Sequence, residues 1–238
     1  SEERKIYTMK SLKITLVFAA LIAFTQTIAA ATVTKNYTVK EFSKLKVSSA
    51  FHVEFIHSNE NKVTIEIDND IAKDVYVGNS GDELTIKLKD AYNNNSNTMI
   101  AKVYGNSLSQ IDISGAVHFE SDYTFAEKDI DIETSGASRL TINVNTETLD
   151  MEISGASKIT VNGNAAKQTI EISGASHYNG KDCKSSNVSI EASGASKTIV
   201  NCTDTLDVEA SGASHITYVA EPKKINKDTT GASSVEMN

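Results

Sequence analysis

Apolar and polar residues alternate in short runs along most of the chain. In one clear run, Leu149, Met151 and Ile153 alternate with Asp150 and Glu152. A period of two is typical of a β-strand that has one buried and one solvent-exposed face. After residue 31 no window has the i, i+3, i+4, i+7 spacing of an amphipathic helix. The pattern therefore predicts an all-β protein.

A tetrapeptide, Ser-Gly-Ala-Ser or a close variant of it, interrupts these runs at intervals of 18 to 21 residues. Its glycines are Gly115, Gly136, Gly155, Gly174, Gly194, Gly212 and Gly231. A period near twenty in a β-rich sequence indicates one supersecondary unit stacked on copies of itself. Because glycine tolerates left-handed backbone, we expect a corner at each copy. We expect the small alanine after each glycine to point into the core.

Each repeat is predicted to contain a strand, this corner, a second strand and an Asn-rich turn. Asn143, Asn162 and Asn201 each follow a glycine by seven residues, and Asn also tolerates left-handed backbone. Successive turns would lie ~4.8 Å apart as a parallel β-helix.

Other repeat architectures fit the sequence less well. A propeller blade needs about 40–45 residues per repeat. A leucine-rich repeat needs leucines in a fixed pattern, and the calcium-binding motif Gly-Gly-x-Gly-x-Asp is absent.

The repeats divide the chain into a regular and an irregular part. They run without a break through residues 99–238, whereas residues 32–98 are less regular but still strand-like. The segment Lys46–His52 resembles a degenerate copy with Ser49 in the place of glycine. We interpret residues 32–238 as a single β-helix domain, because the terminal repeats of a solenoid are usually atypical.

The N-terminal segment is typical of export. Residues 9–31 have a basic start, a short apolar centre and the small residues Ala29-Ala30-Ala31, as in a secretory signal peptide. Residues 1–8 are interpreted as an upstream extension. A membrane anchor is the alternative, but the apolar run is shorter than the ~20 residues that a span needs. We therefore predict an exported protein without a membrane span after cleavage, located in the periplasm, on the outer surface or in the medium.

Two sets of charged residues recur at fixed distances from the glycines. Three positions before them lie the acidic residues Asp112, Glu133, Glu152, Glu171, Glu191, Glu209 and Asp228. Three positions after them lie the basic or titratable residues His118, Arg139, Lys158, His177, Lys197 and His215. Stacking would turn each set into a ladder. The ladders could neutralise each other as a surface charge network, hold Ca²⁺ between carboxylates, or form an adhesive edge for a glycan or a protein.

The sequence offers no catalytic residue, metal site or cofactor motif. Evenly repeated carboxylates form a ladder, whereas a glycosidase needs two carboxylates in distinct environments. The predicted histidine ladder is interrupted by Arg139, Lys158 and Lys197, so no group of histidines is expected to bind one ion. The formal net charge of −8 argues against binding to nucleic acid.

The two cysteines, Cys183 and Cys202, are separated by about one repeat. In an oxidising compartment a disulfide between adjacent turns is expected to be favourable if the two residues stack. Two free, solvent-shielded thiols are the alternative.

Several segments carry a resemblance to a known family. They are Val47–Phe55, Leu84–Ile86, Leu108–Ala116 and the Ser-Gly-Ala-Ser series that follows. With the signal peptide, this pattern resembles the GIN-domain family of bacterial envelope proteins, described as autotransporter adhesin head domains, over nearly all of residues 33–238. The resemblance implies a right-handed, single-stranded parallel β-helix.

These observations lead to a functional hypothesis. We expect an exported or envelope-associated, non-enzymatic binding or adhesion module whose partner is a glycan or a surface protein of the envelope or host. A structural envelope protein that self-associates through the open end of the β-helix is the alternative. A polysaccharide-acting enzyme is the least favoured.

Overall fold

The computed structural model describes residues 31–89 and 98–238. The predicted upstream extension and almost all of the predicted signal peptide lie outside the described residues. The same is true of residues 90–97, which belong to the predicted irregular part.

The described chain is built of strands joined by short turns, with one 3₁₀ turn at Ala72–Asp74. The strands before the regular repeats are β1 (Thr32–Thr38), β2 (Lys44–Val47), β3 (His52–His57), β4 (Lys62–Asp68), β5 (Val75–Ser80), β6 (Glu83–Leu88) and β7 (Met99–Gly105). Those of the repeats are β8 (Gln110–Ile113), β9 (His118–Phe125), β10 (Asp129–Thr134), β11 (Arg139–Ile153), β12 (Lys158–Ile172), β13 (His177–Ala192), β14 (Lys197–Ala210), β15 (His215–Tyr218), β16 (Lys224–Thr229) and β17 (Ser234–Met237).

Each Ser-Gly-Ala-Ser corner joins two parallel sheets. The pre-corner sheet contains β2, β8, β10, the second halves of β11 to β14, and β16. The post-corner sheet contains β3, β9, the first halves of β11 to β14, β15 and β17. Equivalent residues of successive repeats lie in register, as Ile132, Met151 and Ile170 do. The predicted all-β parallel solenoid is therefore confirmed, with about seven turns.

Alternate residues of both sheets point inward and form one continuous core. In β11, Leu140, Ile142 and Val144 are completely buried. Burying one such side chain contributes about 1.5–3 kcal/mol to folding. The outward positions between them are polar, so the period of two predicted from the sequence has the expected structural meaning.

The glycines form a stack at the corner with left-handed backbone. Gly174 has φ 73°, and its carbonyl accepts a 2.8 Å hydrogen bond from the N–H of Ala195 in the next turn. A Cβ on Gly174 would lie 2.4 Å from the carbonyl oxygen of Gly155. A side chain at this position is therefore excluded both by the positive φ angle and by the lack of space between adjacent turns. Ser49 occupies the glycine place in the degenerate copy with φ 87°.

One detail of the predicted corners is wrong. The alanines after the glycines are exposed, and in the five Ser-Gly-Ala-Ser corners the following serine is buried instead. Its hydroxyl donates to the carbonyl three residues earlier, as Ser157 does to Ser154 at 2.9 Å. Exposure of the alanine follows from the tight turn, which directs its Cβ outward.

The Asn-rich turns also differ from expectation. In the described residues, positive φ angles occur only at glycines and at Ser49. The asparagines act through their amides: Asn162 donates to the side chain of Asn143 at 3.2 Å, and Asn201 donates to the carbonyl of Lys181 at 3.1 Å. The left-handed residue at this second bend is Gly163, with φ 109°.

The irregular N-terminal part covers one end of the solenoid. β2 and β3 form a turn that stacks on β8 and β9, as the degenerate copy predicts. Beyond it, β6 and β7 form a further parallel turn although they come later in the chain. β1, β4 and β5 then add antiparallel pairs. The strand order is thus not simply sequential in this part.

A polar cluster lies inside the otherwise apolar core. The buried hydroxyl of Tyr178 donates to Gln168 Oε1 at 2.7 Å, and Gln168 Nε2 donates to Ser185 Oγ at 2.5 Å. Gly180 leaves room for the ring, because a Cβ there would lie 2.5 Å from the Tyr178 hydroxyl oxygen. The cluster satisfies the side chain of Gln168, whose neighbours in register are Leu149 and Val188.

The predicted disulfide is not present. Cys183 and Cys202 are both free and buried. A register shift after Gly180 places Cys202 opposite Ser185, whereas Cys183 lies opposite Gly163. Burial raises the pKa of Cys183 to about 12. The alternative of two free, shielded thiols is therefore the arrangement observed.

Substituting a stacked glycine tests the corner. Gly174→Val places a β-branched residue at positive φ and against the Gly155 carbonyl, so we expect a loss of about 2 kcal/mol or more in the free energy of unfolding. For a domain of this size the melting temperature should fall by at least about 4 °C. Ala175→Val is the matched control, because Ala175 is exposed and lacks positive φ. Equal stability of the two variants would contradict the corner geometry.

Removing one hydroxyl tests the buried cluster. Tyr178→Phe leaves Gln168 Oε1 without its donor, and we expect a cost of about 1–3 kcal/mol in denaturant unfolding. Tyr76→Phe, at a residue that is 39% exposed, should change stability by less than about 0.5 kcal/mol. If both variants unfold at the wild-type denaturant concentration, the buried hydrogen bond does not contribute to stability.

Candidate functional site: charged files on two sheets

The predicted acidic ladder forms as an unbroken file on the pre-corner sheet. It runs in register through Asp112, Glu133, Glu152, Glu171, Glu191, Glu209 and Asp228. We call these residues the acidic file. Lys46 of the degenerate copy lies next in register and pairs with the carboxylate of Asp112. That ion pair raises the pKa of Lys46.

The predicted basic ladder forms on the post-corner sheet. His118, Arg139, Lys158, His177, Lys197 and His215 follow one another in register. His52 is a further member of this ladder that the sequence prediction did not include, and its ring centroid lies 4.5 Å from that of His118. Its position in the degenerate Lys46–His52 copy, three residues after Ser49, could have identified it. We call the seven residues the basic file.

The expected charge network between the two files does not form. Among the described residues, no ion pair joins a member of the acidic file to a member of the basic file. Partners occur only near the ends: Glu120 lies 3.0 Å from His52, and Glu236 lies 3.1 Å from His215. The files are carried by different sheets on either side of the corner, which explains their separation.

A groove of about 530 Å³ runs along the acidic file. The whole file lines it, together with the first serine or threonine of each corner, such as Ser154, Ser173 and Ser193. A second groove of about 300 Å³ adds Asp131 and Asp150. Desolvation and the neighbouring carboxylates Asp150 and Asp129 raise the pKa of Asp131. The outer surface of the pre-corner sheet is therefore strongly acidic.

The outer surface of the post-corner sheet has the opposite character. In four consecutive turns its outward positions hold Arg139, Thr141, Asn143, Lys158, Thr160, Asn162, His177, Asn179, Lys197, Ile199 and Asn201. We call these residues the basic face. None of them is a carboxylate. The acids nearest in sequence, Asp182 and Asp204, follow Asn179 and Asn201 by three residues and pair with Lys181 and Lys223. On the adjacent turn, Glu120 lies opposite Thr141.

Two histidines of the basic file have lowered pKa values. Burial lowers the pKa of His177, and the flanking cations Lys197 and Lys158 lower it further. Burial, His52 and Arg139 lower the pKa of His118, against an opposing effect of Glu120. Both shifts favour the neutral imidazole beside the permanent cations of the file.

Two other kinds of site have no counterpart within residues 31–89 and 98–238. No group of three or more histidine, cysteine or carboxylate side chains there is arranged to hold a metal ion. In the same residues, no helix has the length and apolar character needed to cross a membrane.

Comparisons with known proteins agree with the fold. A putative adhesin from Bacteroides fragilis superposes with a TM-score of 0.81 at 18% identity, over 87% of this chain and 97% of that one. A putative adhesin from Parabacteroides distasonis gives 0.70 at 17%, over 88% and 98%. A putative lipid binding protein from the same species gives 0.69 at 16%, over 87% and 96%. At these identities the likeness shows the fold alone.

Sequence comparison assigns the family. No curated protein matches this chain. A family model described as "Putative auto-transporter adhesin, head GIN domain" matches residues 41–222, which is most of the chain and includes the whole basic file and every member of the acidic file except Asp228. The chain therefore belongs to this GIN-domain family, as its repeats indicate.

Proposed function

We propose that the protein is an exported, non-enzymatic binding module of the cell envelope that contacts its partners through the charged sheets on either side of the corner. The observation that carries the proposal is the separation of charge: both files are in register, and their central members have no ion-pair partner within the described residues. Unpaired charges on a rigid repeat are available to a partner. The family's adhesin description supports the same role.

The arrangement of the acidic residues argues against catalysis. Each central carboxylate of the acidic file, from Glu133 to Glu209, has another carboxylate one turn above and one turn below, so adjacent central members lie in similar environments. Acid–base chemistry on a glycoside needs one protonated and one ionised carboxyl group. The lipid-binding description of the Parabacteroides relative fits this chain less well, because both grooves are lined mainly by carboxylates and hydroxyls.

Two charge variants test the proposal on protein purified after export from an expressing bacterium. The acidic-file variant is Glu152→Gln, Glu171→Gln and Glu191→Gln. The basic-face variant is Arg139→Gln, Lys158→Gln and Lys197→Gln. Matched controls change exposed residues outside both charged sheets by the same net charge: Glu41→Gln, Glu66→Gln and Glu221→Gln, or Lys40→Gln, Lys73→Gln and Lys89→Gln.

We expect saturable binding of the wild-type protein to glycans, envelope fractions or host matrix proteins, and loss of that binding in at least one file variant but in neither control. Neutralising the acidic file should not lower the melting temperature, because carboxylates ~4.8 Å apart repel each other by about 1 kcal/mol. Absence of saturable binding, or equal binding by all five proteins, would overturn the proposal.

Self-association is a second candidate function, favoured by the last strands. Among residues 31–89 and 98–238, β16 and β17 each pair with a strand on one side only, and Met237 is 51% exposed. Unpaired strand edges invite pairing with another copy. The other end is covered by antiparallel strands, although Tyr76 on β5 is also exposed.

Sedimentation separates this candidate from the first. If copies pair through β16 and β17, the wild-type protein should associate as its concentration rises, and Met237→Lys should abolish the association because edge lysines block strand pairing. Tyr76→Lys at the opposite end should leave it unchanged. A wild-type protein that remains monomeric at high concentration excludes this function.

A further inference from the structure

The cations of the basic face stand out against the charge of the whole molecule. The chain has a formal net charge of −8, yet the face has no carboxylate over four turns. Arg139, Lys158 and Lys197 make no ion pair within the described residues, and the electrostatic neighbours of His177 are Lys158 and Lys197. Within the described residues, the carboxylates nearest the basic file, Glu120 and Glu236, contact only histidines near its ends, so the central cations are left for an anionic partner.

Neutral hydrogen-bonding groups accompany the cations. Side chains two residues apart on a strand share a face, so Thr141 lies beside Arg139 and Thr160 beside Lys158. Neither threonine hydroxyl forms a hydrogen bond to another described side chain or backbone group. In the next row Asn162 bonds to Asn143 at 3.2 Å. Rows of hydroxyls and amides beside cations match a ligand that carries both hydroxyls and anionic groups.

The dimensions of the basic face favour a linear ligand over a folded protein. Its four turns cross three spacings of ~4.8 Å, about 14 Å along the axis, and its three outward positions per strand span about 13 Å, so the face covers roughly 200 Å². A stable protein interface needs about 800 Å² from each partner. An extended polymer that lies along the solenoid axis can contact every turn.

We propose that the basic face binds an extended anionic polysaccharide, with its carboxylate or sulfate groups on the cations and its hydroxyls on the threonine and asparagine rows. The proposal rests on the proposed function as a binding module and names the ligand class of one of its two charged sheets.

Two other polyanions fit less well. A planar anionic membrane would meet the acidic file as well as the basic face, because the two sheets adjoin at the same corner and charges act over a Debye length of about 8–10 Å. Single-stranded nucleic acid is usually held by aromatic side chains on which bases stack, and the basic face contains no phenylalanine, tyrosine or tryptophan.

The position of His177 adds a pH dependence. Its ring lies between Lys158 on β12 and Lys197 on β14, and both cations, with burial, keep its pKa below the ordinary value. When the pH falls below the pKa of a free histidine, His177 becomes protonated and adds a positive charge to the middle of the basic face. Affinity for a polyanion should therefore rise on acidification, and His177→Gln should reduce that rise.

Binding of polygalacturonate, measured by calorimetry at low salt with the full exported protein, tests the inference. Neutral dextran, heparin and vesicles that contain anionic lipid serve as further probes. We expect binding to polygalacturonate or heparin, no binding to dextran, and weakening with added salt. The basic-face variant should bind roughly tenfold more weakly or worse, because it lacks three cationic contacts. The Lys40→Gln, Lys73→Gln and Lys89→Gln control should bind within about twofold of the wild type.

Each result is decisive. Equal loss in the basic-face variant and the lysine control would show a response to net charge and overturn the inference. Preference for anionic vesicles over both polysaccharides would replace it with a membrane interaction. If neither polysaccharide binds while the protein still binds envelope fractions, the inference fails and the proposed function survives. Circular dichroism of the variants, expected to match the wild type, separates loss of contacts from loss of fold.

Discussion

The structure depends on one repeated hydrogen bond, from the N–H of each corner alanine to the carbonyl of the glycine one turn earlier. These bonds are 2.7–2.8 Å long at every corner from Ser49 to Gly231. Two features make these bonds possible. The glycines adopt a left-handed backbone, and they lack the Cβ atom that would hold successive turns apart. An alanine in the same place would collide with backbone, which has no other position available within a parallel sheet. The corner therefore sets the stacking of both sheets.

Exact stacking has an electrostatic consequence. Residues that are equivalent in the repeat must lie ~4.8 Å apart, so like charges become neighbours, and each contact costs about 1 kcal/mol at the dielectric constant of water. Each turn also buries several apolar side chains, such as Leu140, Ile142 and Val144, at about 1.5–3 kcal/mol each. Burial exceeds repulsion, so the fold tolerates both charged files. In the basic file, the low pKa of His177 and His118 reduces the repulsion further.

The sequence predicted most of the architecture because the repeat makes one local rule apply many times. Alternation identified the strands, and the glycine spacing identified the corners and both files. The failures arose where a single residue departs from its repeat. Insertion of residues after Gly180 shifts the register and separates Cys183 from Cys202, which residue spacing alone does not reveal. Tyr178 and Gln168 reach each other across the core, and one-dimensional alternation contains no information about contacts between sheets.

Folding constrains the inward and the outward positions of the two sheets to different degrees. Inward positions vary between repeats, as Leu149, Gln168 and Val188 show, because the core needs volume more than identity. Folding restricts the residue types at outward positions even less, because it requires only that these residues be polar. Mixed charges would satisfy that demand with less repulsion and would form ion pairs across adjacent turns. Yet the sign of charge stays uniform within each file while no pair links the files. Folding energetics does not account for that separation, and we propose recognition of a charged partner as its cause.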